Sequence, residues 1–189
     1  MSDTSPTPEQ RDVAMKDILG DDRTAMVKAS ILLCYDKSTT STLLRFLEAE
    51  TRVDTRHAIL YALTWHSHLA QWDLMVGLLK DVQEPPLIRG QAAEYLSYNF
   101  SMVRTDSAEF EVAVKALLDA LKDPSPEVRY CAVNALGTTG HLPLIPTLEA
   151  MREDKTPAPG WVGTVSDEAS RALEWIVGMH EMRIKNGIP

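Results

Sequence analysis

The sequence predicts an all-α protein, a right-handed α-solenoid of about five stacked helical pairs. Three observations lead there. Amphipathic segments of about 12 residues, an ordinary helix length, alternate with short polar turns along the chain. A set of small and apolar offsets recurs at an interval suited to helical pairs. One stretch, Lys122 to Gly137, shows the unit most clearly. Ser125 is placed to cap a helix there, and Pro126 falls at the first helical position, where its missing N–H costs nothing. Glu127 adds negative charge to the first turn, Val128, Ala132, Ala135 and Leu136 share one face, and Gly137 is expected to stop the run.

With Arg129 as the reference, apolar or small residues follow at three, four, six and seven positions: Ala132, Val133, Ala135 and Leu136. The same offsets recur after Lys28 (Ile31, Leu32, Cys34, Tyr35), Arg56 (Ile59, Leu60, Ala62, Leu63) and Arg89 (Ala92, Ala93, Tyr95, Leu96). A weaker copy follows Ala169, with Ala172, Leu173, Trp175 and Ile176. The references at 28, 56, 89, 129 and 169 are separated by 28, 33, 40 and 40 residues. Six residues before the first four stand Asp22, Glu50, Gln83 and Asp123, which suggests an acid–base ladder at the turns, with Gln83 lacking the charge.

The first helix of each pair falls between these copies. Thr7 to Gln10 reads as a capping box opening a helix to about Leu19, and Gly20-Asp21-Asp22 as its turn. Ser38 to Glu50 carries Leu43, Leu44, Phe46 and Leu47. Leu69 to Val82 carries Trp72, Met75, Val76, Leu78 and Leu79, and Pro85-Pro86 breaks it. Asp106 to Lys122 starts at a candidate Asp106/Glu109 box and carries Val112, Val114, Leu117, Leu118 and Leu121. Leu142 to Glu153 holds Pro143 and Pro146 in its first turn, and the last helix runs from Ser166 to about Lys185, where Asn186-Gly187 can end it. The chain reads as a single domain, 1–189, with a flexible N-terminus over 1–6, an insertion at 101–106 and an inserted loop at 154–165. Trp161 at the tip of that loop either serves a function or folds back over the exposed end of the core.

Composition narrows the function. Net charge is −8, from 19 basic and 27 acidic residues, and each half of the chain carries −4 with no basic arm. Nucleic-acid binding depends on neutralising phosphates, so no nucleic-acid partner is expected. No run of about 18 apolar residues suggests a membrane span. The first six residues lack the pattern of a signal peptide, and Cys34 and Cys131 read as free thiols, buried and partly exposed respectively. Both features lead to an expected cytoplasmic location. His66-x-His68, beside Trp65 and Trp72, is the densest imidazole and aromatic cluster, and packing explains it better than a metal. No Gly-rich phosphate loop or nucleophile motif is present, so no cofactor, metal or catalytic residue is expected.

The stretch from Asp123 to Gly137 resembles the second helix of HEAT repeats, in particular the short bilin-lyase-like kind of the armadillo-like solenoids. The resemblance spans roughly residues 8–185 and rests on this one well-formed copy. It implies protein binding on a concave face lined by the second helices, and a non-catalytic scaffold is the first functional expectation. Bilin attachment of the lyase type is an alternative, as is an acidic immunity or inhibitor protein for a basic toxin. HEAT-type di-iron hydroxylases use several His-Glu pairs, and this chain has one, His180-Glu181. HEAT-like DNA glycosylases use a basic groove, which the charge balance disfavours. On the concave face, positions one, five and eight after each reference form a stripe. They include His57, Tyr61, Glu94, Tyr130, Asn134 and Glu174, with Trp65, Gln91 and Arg171 beside them and Trp161 as the loop's contribution. Tyrosines beside a carboxylate suit a protein-binding centre.

Overall fold

The computed structural model describes residues 5–66 and 69–187. Residues 1–4 of the expected flexible terminus, and His68 of the histidine pair, lie outside that range. The described residues are helical, apart from turns and one antiparallel bridge between Pro157 and Thr164. None of the described helices is long and apolar enough to cross a membrane. The chain divides into two compact units, residues 1–67 and 68–189.

The first unit holds two helical pairs: α1 (Pro8–Asp17) with α2 (Arg23–Leu33), and α3 (Thr40–Ala49) with α4 (Val53–Thr64). The second helices, α2 and α4, pack on each other. Thr7 and Gln10 close the capping box, and Pro8 takes the first helical position. Asp22 is spent on its own helix, accepting from the Thr24 and Ala25 N–H groups at 2.8 and 3.1 Å. Glu50 accepts from Arg52, whose guanidinium also reaches Asp21 and the Leu19 carbonyl at 2.8 Å each. Arg52, two residues beyond Glu50, thus joins the turn at Glu50 to the turn at Asp21.

The first repeat copy sits one residue earlier than its pattern suggests. The buried stripe of α2 is Met26, Ala29, Ser30 and Leu33, while Val27, Ile31 and Tyr35 are 42–48% exposed. The apolar arc of α2 is wide, and two adjacent stripes share the same spacing. Packing on α1 and α4 selects one of them.

The second unit holds three pairs: α5 (Trp72–Lys80) with α6 (Pro86–Asn99), α7 (Ala108–Ala120) with α8 (Pro126–Thr138), and α9 (Ile145–Met151) with α10 (Val165–Asn186). α8 packs on α6 on one side and on α10 on the other. Its expected face is fully buried, with Val128, Ala132, Ala135 and Leu136 all at 0% exposure. Gly137 does not end α8. It lies where a Cβ would sit 2.7 Å from Ala172 of α10, so it is required by close approach. The turn comes three residues later, at Gly140 with φ +68°. In α10 the weak fifth copy holds at Ala172 and Ile176, but Trp175 is 59% exposed, because α10 has a packed neighbour on fewer sides than α8.

Helix ends differ from expectation in instructive ways. Ser125 stands at the cap position of α8 without a side-chain cap bond; Asp123 Oδ1 accepts the Ser125 N–H at 2.8 Å instead. Ser107, not Asp106, caps α7, because Asp106 is engaged by Arg104. Short 3-10 turns at 37–39, 69–71 and 142–144 take up the starts expected for α3, α5 and α9. α10 is opened by a Thr164/Asp167 capping box and closed by Gly187 at φ +65°.

The acid–base ladder in this unit links one pair to the next. Arg89 of α6 donates to Asp123, and both side chains are buried. Arg129 of α8 donates to Asp154 at 2.7 Å and to the Asp123 carbonyl at 2.8 Å. Arg183 of α10 is 2% exposed and donates to the Thr139 and Val103 carbonyls at 2.8 and 3.0 Å, tying the helix to two turns.

Two glycines test this packing with opposite signs. Gly137→Ala should destabilise by roughly 1–3 kcal/mol, the usual cost of overpacking. Gly178 of α10 has nothing within 4 Å of an added Cβ, so Gly178→Ala should stabilise by about 0.5–1 kcal/mol through helix propensity. Thermal melting should move down for the first and up for the second. Upward shifts for both would mean that α8 and α10 are not in close contact.

Candidate protein-binding site

Five of the expected site residues, Glu94, Tyr130, Asn134, Trp161 and Arg171, meet in the second unit. α8 brings Tyr130 and Asn134, one turn apart on the edge left open by its small-residue face. α6 brings Glu94, with Tyr98 one turn on, and α10 brings Glu168. Together with Trp161 and Cys131, these side chains line a cavity of about 120 Å³.

The 154–165 loop folds over this cavity. Asp154 anchors it, accepting from Arg129 Nε at 2.7 Å and from the Thr156 N–H at 3.1 Å. Gly160 and Gly163, with φ of +82° and +100°, make the tight return. The indole of Trp161 stacks on the Tyr130 ring with centroids 5.1 Å apart and planes at 26°. Trp161 therefore belongs to the same site as Tyr130, and it keeps 37% of its surface exposed.

Arg171 fixes the back of the site. It donates to Tyr130 Oη at 2.7 Å and to Glu168 at 2.8 Å, and its guanidinium lies 5.8 Å from the Tyr130 ring centre. Asn134 Nδ2 donates to Glu168 Oε1 at 2.8 Å. Burial pushes the Tyr130 hydroxyl up to about 12, Glu168 adds to the rise, and Arg171 opposes it. Burial also raises the Glu94 carboxyl, against a hydrogen bond from Gln91. Cys131 is 2% exposed, not partly exposed as its offset suggested, since α6 closes over it at Gly90. Its thiol is pushed well up, first by burial and then by Glu94, Glu127 and Glu168, so it is no ready nucleophile.

The first unit has an aromatic site of its own. Tyr61 of α4 and Trp65, which caps that helix, meet edge to face at 6.5 Å. With Ile31, Cys34, Tyr35 and Lys37 they line a cavity of about 590 Å³. Cys34 is buried as expected, and burial raises its thiol to about 12. His66 is 1% exposed, with Nε2 2.8 Å from the Leu33 carbonyl and Nδ1 2.8 Å from Thr40 Oγ1. Burial lowers its pKa, and the carbonyl assigns the single ring proton to Nε2. His66 is thus a neutral packing residue. Among the described residues, no three His, Cys, Asp or Glu side chains converge as metal ligands do.

The expected stripe is open only in part. Tyr61, Glu94 and Asn134, at the fifth position, are half-buried, and Glu174 is exposed on α10, away from the cavity lining. His57 is half-buried on α4. Ala29, Leu33, Asp36, Thr64, Gly90, Ser97 and Gly137 are buried, and so is Gln91, at 5%. Tyr98, Glu168 and Tyr35 were missed. Tyr98 sits one turn from Glu94 and was legible by that spacing alone; Glu168 stands just before the weak fifth copy, outside the stripe positions.

Residues 102–159 match the family of HEAT repeats. Comparison with curated protein sequences gives no match. Among solved structures, the chain is similar to one in the complex of CpcE and CpcF of phycocyanin lyase from Nostoc sp. PCC7120. The TM-score is 0.70 at 16% identity, covering 88% of this chain and 99% of that one. The fold is that of HEAT-type helical repeats.

The raised Glu94 carboxyl gives a pH test. A carboxyl whose folded-state pKa exceeds its unfolded value, about 4.3, makes stability fall as pH rises through that interval. Glu94→Gln keeps the shape and removes the charge. Urea unfolding should find the variant more stable than the unaltered chain at pH 7 and about equal near pH 4. A variant less stable at pH 7 would show that Glu94 is held by an opposite charge.

Proposed function

We propose that the chain is a non-catalytic protein-binding scaffold, a single HEAT-repeat domain spanning 1–189 that contacts its partner through aromatic side chains at the edges of its second helices. One observation carries this reading: Trp161 and Trp65 stand partly exposed, each braced by a tyrosine, Tyr130 and Tyr61. Rigid aromatics of this kind supply large contact area at low entropic cost and are common among binding hot spots. Glu94, held by Gln91, and Asn134 with Arg171 set the polar surround of Trp161, and His57 on α4 and Glu174 on α10 are further candidate contacts. The similar Nostoc chain comes from a complex of two proteins, which supports a protein partner. Both cysteines are buried with raised thiol pKa values, which weighs against covalent catalysis through either.

A second reading, chromophore handling of the bilin-lyase kind, is favoured by the cavity at Tyr61 and Trp65. Its volume of about 590 Å³ falls in the range of roughly 300–1,000 Å³ that small-molecule sites occupy. An absorbance shift on mixing with a free bilin would support it.

The scaffold reading is tested by using the chain as bait in extract of its native cells, identifying the captured protein and measuring its affinity as a purified pair. Trp65→Ala with Trp161→Ala should weaken that affinity at least tenfold, about 1.4 kcal/mol, with the helical circular-dichroism signal unchanged. Unchanged affinity would rule out these aromatic edges as the contact.

A further inference from the structure

The cavity between α6, α8 and α10 carries more chemistry than packing needs. Two carboxylates, Glu94 and Glu168, share its wall, and Glu168 is only 3% exposed. Glu127 lies near enough for all three to act on the Cys131 thiol. One guanidinium, that of Arg171, pairs with Glu168. Counting only the wall carboxylates and Arg171, the site keeps one negative charge. The rest of the wall is Asn134, Cys131 and the rings of Tyr98, Tyr130 and Trp161. Tyr98 and Trp161, at 49% and 37% exposure, are the open side, whereas Glu168 and Cys131 lie at the bottom. Ring faces and carboxylates both attract cations, and together they favour a partly desolvated one.

Size and hydration select among cations. About 120 Å³ is well below the roughly 300 Å³ at which small-molecule sites begin, so the space suits the head group of a side chain. Guanidinium is planar and weakly hydrated, stacks on aromatic rings, and presents a fork that fits a carboxylate; ammonium is a compact, strongly hydrated point charge. The chain's net charge of −8 would also steer a basic surface toward it.

We propose that this cavity receives an arginine side chain of the partner protein, whose guanidinium passes the rings of Tyr98 and Trp161 to meet Glu94. This rests on the protein-binding reading and gives that site a chemical specificity. The occupant supplies the positive charge that the wall lacks. Arg171 cannot fill the role, because it is committed to Glu168 and the Tyr130 hydroxyl.

The test needs no partner. The full chain, labelled with ¹⁵N, is titrated with N-acetyl-argininamide while the indole N–H signal of Trp161 is followed. The same titration is run with the citrulline analogue, a neutral near-isostere, and with the lysine analogue. The arginine compound should give a saturating shift with a Kd of roughly millimolar order, as for a single anchoring group. The citrulline compound should bind at least tenfold more weakly, and Glu94→Gln should remove the response. Equal responses to arginine and citrulline, or full binding by folded Glu94→Gln, would overturn the proposal. Lysine binding as tightly as arginine would overturn the choice of guanidinium. If Glu94→Gln fails to fold, the arginine–citrulline comparison on the unaltered chain decides. Failure here leaves partner capture through Trp65 and Trp161 standing, and failure of that capture leaves arginine binding measurable.

Discussion

The second unit depends on how closely α8 approaches its neighbours on both sides. Gly137 sits where a Cβ would be 2.7 Å from Ala172 of α10, and Gly90 of α6 sits where one would be 3.3 Å from Cys131 Sγ. Ala132 and Ala135 fill the rest of the contact at 0% exposure. Small side chains let helix backbones close in, and the dispersion gained depends on that fit. Tyr130 and Asn134 of α8 lie at the edge of the contact. They line the cavity there, beside the small-residue contact. The candidate site is in this sense a by-product of the same packing that holds the unit together.

Polar links then fix where each pair begins. Arg89 with Asp123 and Arg129 with Asp154 join the second helix of one pair to the turn of the next. Buried pairs of this kind contribute little net stability over an apolar replacement, although losing one partner is costly. Their effect here is positional. Burial pushes the Asp154 carboxyl up, but the bonds from Arg129 and Thr156 outweigh it and leave the pKa lowered. The Asp154 carbonyl also accepts the Ser166 N–H at 2.8 Å. The loop is thereby tied at both ends, and Trp161 is held against Tyr130 without being buried. Arg183 performs a similar task at the other end of α10, where its donors satisfy turn carbonyls.

The parts of the fold written in helical periodicity were legible in the sequence. The buried faces of α4, α6 and α8 follow the recurring offsets, because helices packed on more than one side accept only one stripe. In α2 several adjacent stripes were apolar, and only tertiary contact distinguished Met26 from Val27. In α10 Trp175 fitted the pattern by type, yet it stays 59% exposed. Caps were legible when donor and acceptor both lay within the motif, as at Thr7 with Gln10. They were not when a competing side chain intervened, as Asp123 does ahead of Ser125. The site was half legible. Spacing along α6 and α8 placed Glu94, Tyr130 and Asn134 together, but joining Trp161 to Tyr130 required a loop path that local pattern does not encode. The depth of Gln91 and Cys131 was hidden for the same reason, since burial depends on how near the next helix comes.

Residue-by-residue hydrogen exchange of the native chain tests the central place of α8 most directly. If α8 is packed as described, the amides from Ala132 to Leu136 open only with the whole second unit. Their opening free energy should then equal the unfolding free energy of that unit from urea denaturation at the same pH. Exchange through local opening, several kcal/mol below that value, would contradict the account.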